Sequence, residues 1–231
     1  MVNTRISCVI CAYNEEPRIK NVLEAVANNP LFSEVIVVDD GSKDGTAEVV
    51  EKYKNVKLVR HGVNQGKSKA FVTGASAATG KFIMMLDADL VGLSNTALEG
   101  LAEPVLSGKA DVAISLRSNS LFIYKWLGID YISGERIFQK SLLEGHLEKM
   151  STLPSYGLES YINELIIDGK LRLASVLWRG VVQTTKADKV ERWSGLLGDS
   201  KMFLQIIRLM KLRTVIRQIW TMTRMAKANM R

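Results

Sequence analysis

Asp87-Ala88-Asp89 ends an apolar run, Lys81–Leu86, that reads as a buried strand. Two carboxylates at i and i+2 of an extended segment share a face, so both can approach one hard cation. A divalent ion there would bridge a diphosphate and neutralise a leaving group. The bland alternative is a solvated strand end that happens to carry two acids. A second acidic pair, Asp39-Asp40-Gly41-Ser42, ends another apolar run, Glu34–Asp39. A carboxylate at that place can accept from a nucleobase N–H or a ribose hydroxyl, or simply form a turn before a helix. Asp40, Ser42, Asp44, Gly45 and Glu51 also have the spacing of an EF-hand loop, but that loop needs a helix in front of it and 34–39 reads as a strand. Gly62-Val63-Asn64-Gln65-Gly66-Lys67-Ser68 is one residue short of a P-loop. A loop at a helix N-terminus carrying Lys67 still suits a phosphate. Tyr13-Asn14-Glu15 offers a ring to stack on a base and polar groups for a ribose, or a plain helix start. His61 and His146 are isolated and read as surface or loop residues.

These groups need elements that bring them together. Residues 5–12, 34–39, 55–60, 81–86 and 111–116 read as strands, and 17–28, 44–53, 66–79 and 94–107 as helices. Strands that are apolar throughout imply a sheet covered on both faces. The expected architecture is therefore α/β, an open, mostly parallel sheet with helices on both sides. Ligands of such sheets sit beyond the carboxyl ends of the strands, which is where the polar clusters fall. Beyond 118 the pattern is less regular. Residues 119–133 are rich in aromatics (Phe122, Tyr124, Trp126, Tyr131). Segments 134–144 and 157–168 look helical, 171–177 looks like a strand, and 178–199 reads as loop.

Composition narrows the class. Of 231 residues 47% are hydrophobic and 24% charged, which excludes a dominantly disordered chain, and two cysteines exclude a disulfide scaffold. Cys8 and Cys11 lie three apart on a strand, so they point to opposite faces and are not a redox pair. No apolar run is long enough to span a bilayer and no signal peptide is visible, so the expected compartment is cytoplasmic. The net charge of +7 is uneven: residues 201–231 hold eight Lys and Arg and no acid, leaving 23 basic against 24 acidic residues before them. The expected organisation is thus a body, 1–199, and a basic helical tail, 200–231.

The motifs are more specific together than apart. AYNEE, VVDDGSKDGT, NQGKSKA and DAD, in this order and spacing, resemble a family 2 glycosyltransferase of the GT-A fold. The chain is most similar there to the dolichyl-phosphate-mannose-synthase-like members, and around DADL to glucosyl-3-phosphoglycerate synthases. The likeness is specific over about residues 5–116 and looser at SGERIF (133–138) and YGLESYINELI (156–166). It implies that Tyr13 stacks on the base, that Asn14, Glu15 and Asp40 contact base or ribose, and that Lys67, Asp87 and Ala88 lie on the nucleotide near the diphosphate. It implies Mg²⁺ or Mn²⁺ on Asp87 and Asp89. It implies Glu159 as a general base, and Arg136 beside the diphosphate or an acceptor phosphate. Relatives often carry a metal-binding His after a strand resembling LWRGVVQ; here that place is Gln183, which is expected to offer its oxygen to the metal instead.

The tail bears on the acceptor. In 202–210, Phe203, Ile206, Ile207 and Met210 share a face; in 212–222, Leu212, Val215, Ile216 and Ile219 lie on nearly the opposite side. One straight helix cannot present both as a single stripe, so a break near 211–213 and two amphipathic segments are expected, at least one on a membrane surface. Packing on the body or on a second copy in a homo-oligomer is the alternative. A nucleic-acid partner is not expected, because the body carries no matching basic pattern. The expected activity is metal-dependent transfer from a UDP- or GDP-sugar to a polyprenyl phosphate or other lipid-linked acceptor. A soluble phosphorylated acceptor, or a non-catalytic nucleotide-sugar-binding protein, are the alternatives.

Overall fold

The computed structural model describes residues 5–154, 157–184 and 212–229. Its elements run β1 (Ile6–Ala12), α1 (Glu16–Val26), β2 (Glu34–Asp39), α2 (Thr46–Glu51), β3 (Val56–Arg60), α3 (Lys67–Ala77), β4 (Phe82–Asp87), β5 (Leu90–Val91) and α4 (Asn95–Leu106). They continue with β6 (Val112–Arg117), α5 (Phe122–Leu127), β7 (Arg136–Gln139), a 3₁₀ turn (Lys140–Leu143), α6 (Leu147–Ser151), α7 (Gly157–Asp168), β8 (Leu173–Trp178), β9 (Val182–Gln183) and α8 (Leu212–Asn229).

Seven strands form one sheet in the order β3-β2-β1-β4-β7-β6-β8. All pairings are parallel except those of β7, which runs antiparallel to both β4 and β6. The six parallel strands therefore deliver their carboxyl ends to one edge, and β7 delivers its amino end there. Alternation feeds two apolar layers: on β1, Cys8 and Ile10 pack with Ile19, Leu23 and Leu101, while Val9 and Cys11 pack with Phe71, Ile114 and Ile162. The cysteines thus face opposite layers, and both are free thiols. Helices α1 and α4 cover the first layer, α3, α7 and α8 the second.

The structure corrects the reading of 134–144 as a helix. Ile137, Phe138, Leu142 and Leu143 have near-helical spacing, yet Ile137 enters one layer and Phe138 the other, as strand residues must. Pairing on both edges, Met84↔Ile137 to β4 and Ala113↔Ile137 to β6, supplies the hydrogen bonds that override local propensity.

Helix α8 packs on β8 and α7. Val215, Gln218, Met222 and Ala226, spaced i, i+3, i+7, i+11, are buried, whereas Ile216 is 57% exposed and Trp220 61%. The described part of the tail thus buries its apolar stripe against the body, and Gln218 Nε2 donates to the Ser160 carbonyl at 3.1 Å. The expected segment 202–210 lies outside the described residues, and of the expected break near 211–213 only Leu212 and Arg213 are described, both in α8. Among the described residues no helix is long and apolar enough to cross a membrane.

Candidate active site

The loops at the carboxyl edge are stitched before any ligand arrives. Asn14, in the left-handed region at φ 55°, donates its N–H to Ser42 Oγ at 2.9 Å and accepts from Lys43 N–H through Oδ1 at 2.9 Å. Glu15 N–H donates to Thr46 Oγ1 at 2.8 Å, and the Glu15 carboxylate pairs with Arg18. The Asn14 side chain and the main-chain N–H groups of Asn14 and Glu15 therefore hold the loop after β1 to the loop after β2. Tyr13 between strand and loop is 41% exposed, and its ring is open to stacking.

Asp40 is 3% exposed, and its oxygens accept from the N–H groups of Gln65 at 3.0 Å and Gly66 at 2.7 Å. His61 Nδ1 lies 2.7 Å from the same carboxylate and His61 Nε2 3.0 Å from Thr73 Oγ1, so His61 is a buried bracing residue and not a surface one. In this arrangement Asp40 anchors the 61–66 loop, fixing where α3 begins and where Lys67 stands. Gly66, at φ 90°, supplies the backbone turn into α3.

The chemistry gathers around Lys67. Its Nζ is 2.7 Å from Asp87 Oδ1 on β4 and 2.7 Å from Glu159 Oε1 on α7. Three residues far apart in sequence thus form one chain of charge. Glu159 is not an exposed helix acid: it is 4% exposed, and its Oε2 has no hydrogen-bond partner. Burial opposes the charge on Lys67, but Asp87 and Glu159 outweigh it and hold the ammonium well above its ordinary pKa. Burial likewise opposes ionisation of Asp87, and Lys67 outweighs it, holding the carboxyl low.

Asp89 has no such cation. Burial and then the Asp87 charge raise its carboxyl to about 6. Its partner is Gln183, whose amide group lies 3.2 Å from Asp87 Oδ2 and 3.1 Å from Asp89 Oδ1. Gln183 reaches this place because the short strands β5 and β9 pair antiparallel, Leu90 opposite Gln183. Asn119 locks the strand from the other side, donating to the Gln183 carbonyl at 2.7 Å and accepting its N–H at 3.2 Å. As it stands, Gln183 Nε2 donates to both carboxylates, and only a cation between them would favour turning the amide oxygen inward. Three carboxylates, Asp87, Asp89 and Glu159, gather here with Lys67 as the one cation in direct contact, while Arg117 acts on Asp87 from farther away. Two carboxylates and one amide oxygen are hard donors that suit Mg²⁺ or Mn²⁺. Among the described residues no group of three or more His, Cys, Asp and Glu is placed to hold a metal. Ala88 is buried on the α4 side and offers this site only main chain.

A buried network backs the site. Arg117, at the end of β6, donates to Glu135 Oε1 at 2.6 Å and Oε2 at 2.8 Å, and lies 3.5 Å from Asp130 Oδ2. Ser115 and Ser133 hydroxyls both donate to Glu135 Oε2, at 2.8 and 2.6 Å. The adjacent Gly134 presses on Asp87: a Cβ there would stand 2.6 Å from Oδ1 and 2.7 Å from Oδ2. Sequence reading missed Arg117, Asn119, Gly134 and Glu135. Gly134 and Glu135 lie in the looser SGERIF segment, whereas Arg117 and Asn119 carried no signal of their own. Arg136 is fully buried, and its guanidinium donates to the Ser133 carbonyl and, at 3.0 Å, to Asn163 Oδ1. Burial lowers its pKa despite Glu159 nearby. It braces β7 against α7.

The glycosyl transferase family 2 model matches residues 7–143. A dolichyl-phosphate β-glucosyltransferase of Trichomonas vaginalis is 38% identical over 97 residues, covering 36% of this chain and 30% of that protein. One from Dictyostelium discoideum is 35% identical over 102 residues, covering 38% and 31%. The matched part spans less than a third of these curated relatives. Glucosyl-3-phosphoglycerate synthase of Mycobacterium tuberculosis, in complex with Mn²⁺, uridine diphosphate and glucosyl-3-phosphoglycerate, is a solved structure of the same fold. It has a TM-score of 0.70 at 22% identity, covering 94% of this chain and 80% of that one.

Proposed function

Given that the chain belongs to glycosyl transferase family 2, we propose that it transfers a sugar from a UDP- or GDP-sugar to a polyprenyl phosphate or other lipid-linked acceptor. The observation that carries this reading is the cluster of Asp87, Asp89 and Gln183, joined through Lys67 to Glu159. Asp87, Asp89 and an inverted Gln183 amide would hold Mg²⁺ or Mn²⁺, which when bound supplies positive charge to the departing diphosphate. Lys67 adds a second positive charge on the side of α3. Tyr13 offers its exposed ring to the base. Glu159 stands one ammonium away from Asp87, where it would take the proton of a hydroxyl acceptor. A phosphate acceptor is already an anion and needs no base. The lipid-linked acceptor is favoured by the dolichyl-phosphate relatives. A soluble phosphorylated acceptor is the second reading, favoured by the fold likeness to glucosyl-3-phosphoglycerate synthase. Peripheral membrane association through 200–231, on the cytoplasmic face, belongs to the first reading.

Calorimetric titration of UDP, GDP and their sugar conjugates, with and without Mn²⁺, tests the donor side. We expect metal-dependent binding of one nucleotide, abolished in Asp89→Ala. Binding that is unchanged by metal and by Asp89→Ala would favour a non-catalytic binding protein. Transfer assays with polyprenyl phosphate and with 3-phosphoglycerate then separate the acceptors.

A further inference from the structure

Helix α5 leaves its large apolar side chains in water. Tyr124 is 2% exposed and points into the core, but Phe122, Ile123 and Trp126 are 83%, 50% and 71% exposed, with Lys125 exposed beside them. Six residues carrying three such side chains is a concentrated apolar patch, not scattered surface hydrophobicity. The patch borders the site. Asn119, three residues before Phe122, hydrogen-bonds both main-chain groups of Gln183, and Arg117 ends the preceding strand.

Charge indicates what covers it. Tyr124 of α5 and Val215 of α8 are buried in the same apolar layer, so both helices lie on one side of the sheet. The outward residues of α8 include Arg213, Arg217, Arg224 and Lys227, and the helix has no acid. Trp220 is 61% exposed among them, with the Arg224 guanidinium 4.5 Å from its ring centre. Exposed aromatics flanked by cations match the boundary between acyl chains and anionic headgroups.

We propose that α5 is a bilayer-docking patch, with Phe122, Ile123 and Trp126 entering an anionic phospholipid surface and Lys125 and the α8 arginines meeting its headgroups. Docked this way, the rim of the Asp87–Asp89–Gln183 cluster faces the lipid. The proposal deepens the lipid-linked reading above by naming the surface, and it is measured apart from transfer so that either can fail alone.

The test is co-sedimentation of the full chain with vesicles of phosphatidylcholine, with and without phosphatidylglycerol. The variants are Phe122→Ser/Ile123→Ser/Trp126→Ser and, for charge, Arg213→Glu/Arg217→Glu. The wild type is expected to sediment with the anionic vesicles, and the α5 variant to lose at least about tenfold in partition. Its melting temperature and Mn²⁺-dependent nucleotide binding should stay as in the wild type. If the triple variant does not melt cooperatively, Phe122→Ser alone carries the test. No sedimentation of the wild type overturns the proposal, as does unchanged sedimentation of the α5 variant. So does conversion of a dimer to a monomer by the α5 substitutions, which would make the patch a contact between copies. Sedimentation that depends on α5, together with no transfer to any polyprenyl phosphate, leaves the surface standing and removes the lipid-linked acceptor.

Discussion

Gly134→Ala should cripple cation binding while leaving the fold intact. The new methyl carbon would stand 2.6 and 2.7 Å from the two Asp87 oxygens. Carbon and oxygen are in ordinary contact only from about 3.4 Å, so one partner must move by roughly 0.7–0.8 Å. Gly134 is tied between Ser133, which donates to Glu135, and the start of β7, so the carboxylate is the freer partner. Ligand distances in a metal site tolerate about 0.2 Å, and Asp87 also holds Lys67 at 2.7 Å. The shift exceeds that tolerance severalfold. We expect Mn²⁺-dependent nucleotide affinity to fall about 10- to 100-fold and turnover by about 100-fold. Calorimetry with Mn²⁺ and a steady-state assay measure these, with a thermal melt as the control for folding. A Gly134→Ala protein that binds Mn²⁺ and nucleotide as the wild type does would refute the placement of Asp87 as a metal ligand.

Other outcomes follow from the same geometry. Gln183→Ala should weaken Mn²⁺ binding by on the order of tenfold, whereas Gln183→His, which restores a donor, should recover most of it; equal loss in both would mean the side chain is no ligand. Glu135→Gln leaves the Arg117 guanidinium short of its closest charge partner in a buried place and should cost about 3 kcal/mol, roughly 6–12 °C in Tm by calorimetry. For Glu34, burial opposes ionisation, but hydrogen bonds from Ser7 Oγ and from Thr79 at 2.8 Å outweigh it and hold the carboxyl below its usual value. The stability it contributes is fully present above the unfolded glutamate pKa of about 4.3 and is lost as pH falls through the lower folded value. Glu34→Gln should therefore flatten the acid side of a Tm–pH profile, and a profile identical to the wild type would count against this.

The parts of the fold that could be read were those governed by short-range pattern. β1, β2 and β4 are apolar runs closed by polar clusters, and each ends within about a residue of where it was expected. Asp87 and Asp89 were recognisable because an i, i+2 pair needs only an extended backbone. What could not be read depends on partners distant in sequence. β7 is a strand because β4 and β6 flank it. Glu159 meets Asp87 only because Lys67 stands between them. Gln183 reaches the carboxylates through a two-residue strand pairing that leaves no periodic signal. Asp40 and Arg136 have the residue types of ligand contacts, and their bracing of a loop and a strand had no sign in the local sequence. No local rule distinguishes a carboxylate aimed outward from one turned back on its own loop.

The antiparallel strand β7 also makes one unit of what would otherwise be two. In the sheet, β3-β2-β1-β4 and β6-β8 are hydrogen-bonded to each other only through β7. Asp87 ends a strand of the first block, and Gly134, which abuts it, lies on the approach to β7. The cation site therefore straddles the seam between the blocks, and whatever unseats β7 opens the site together with the sheet.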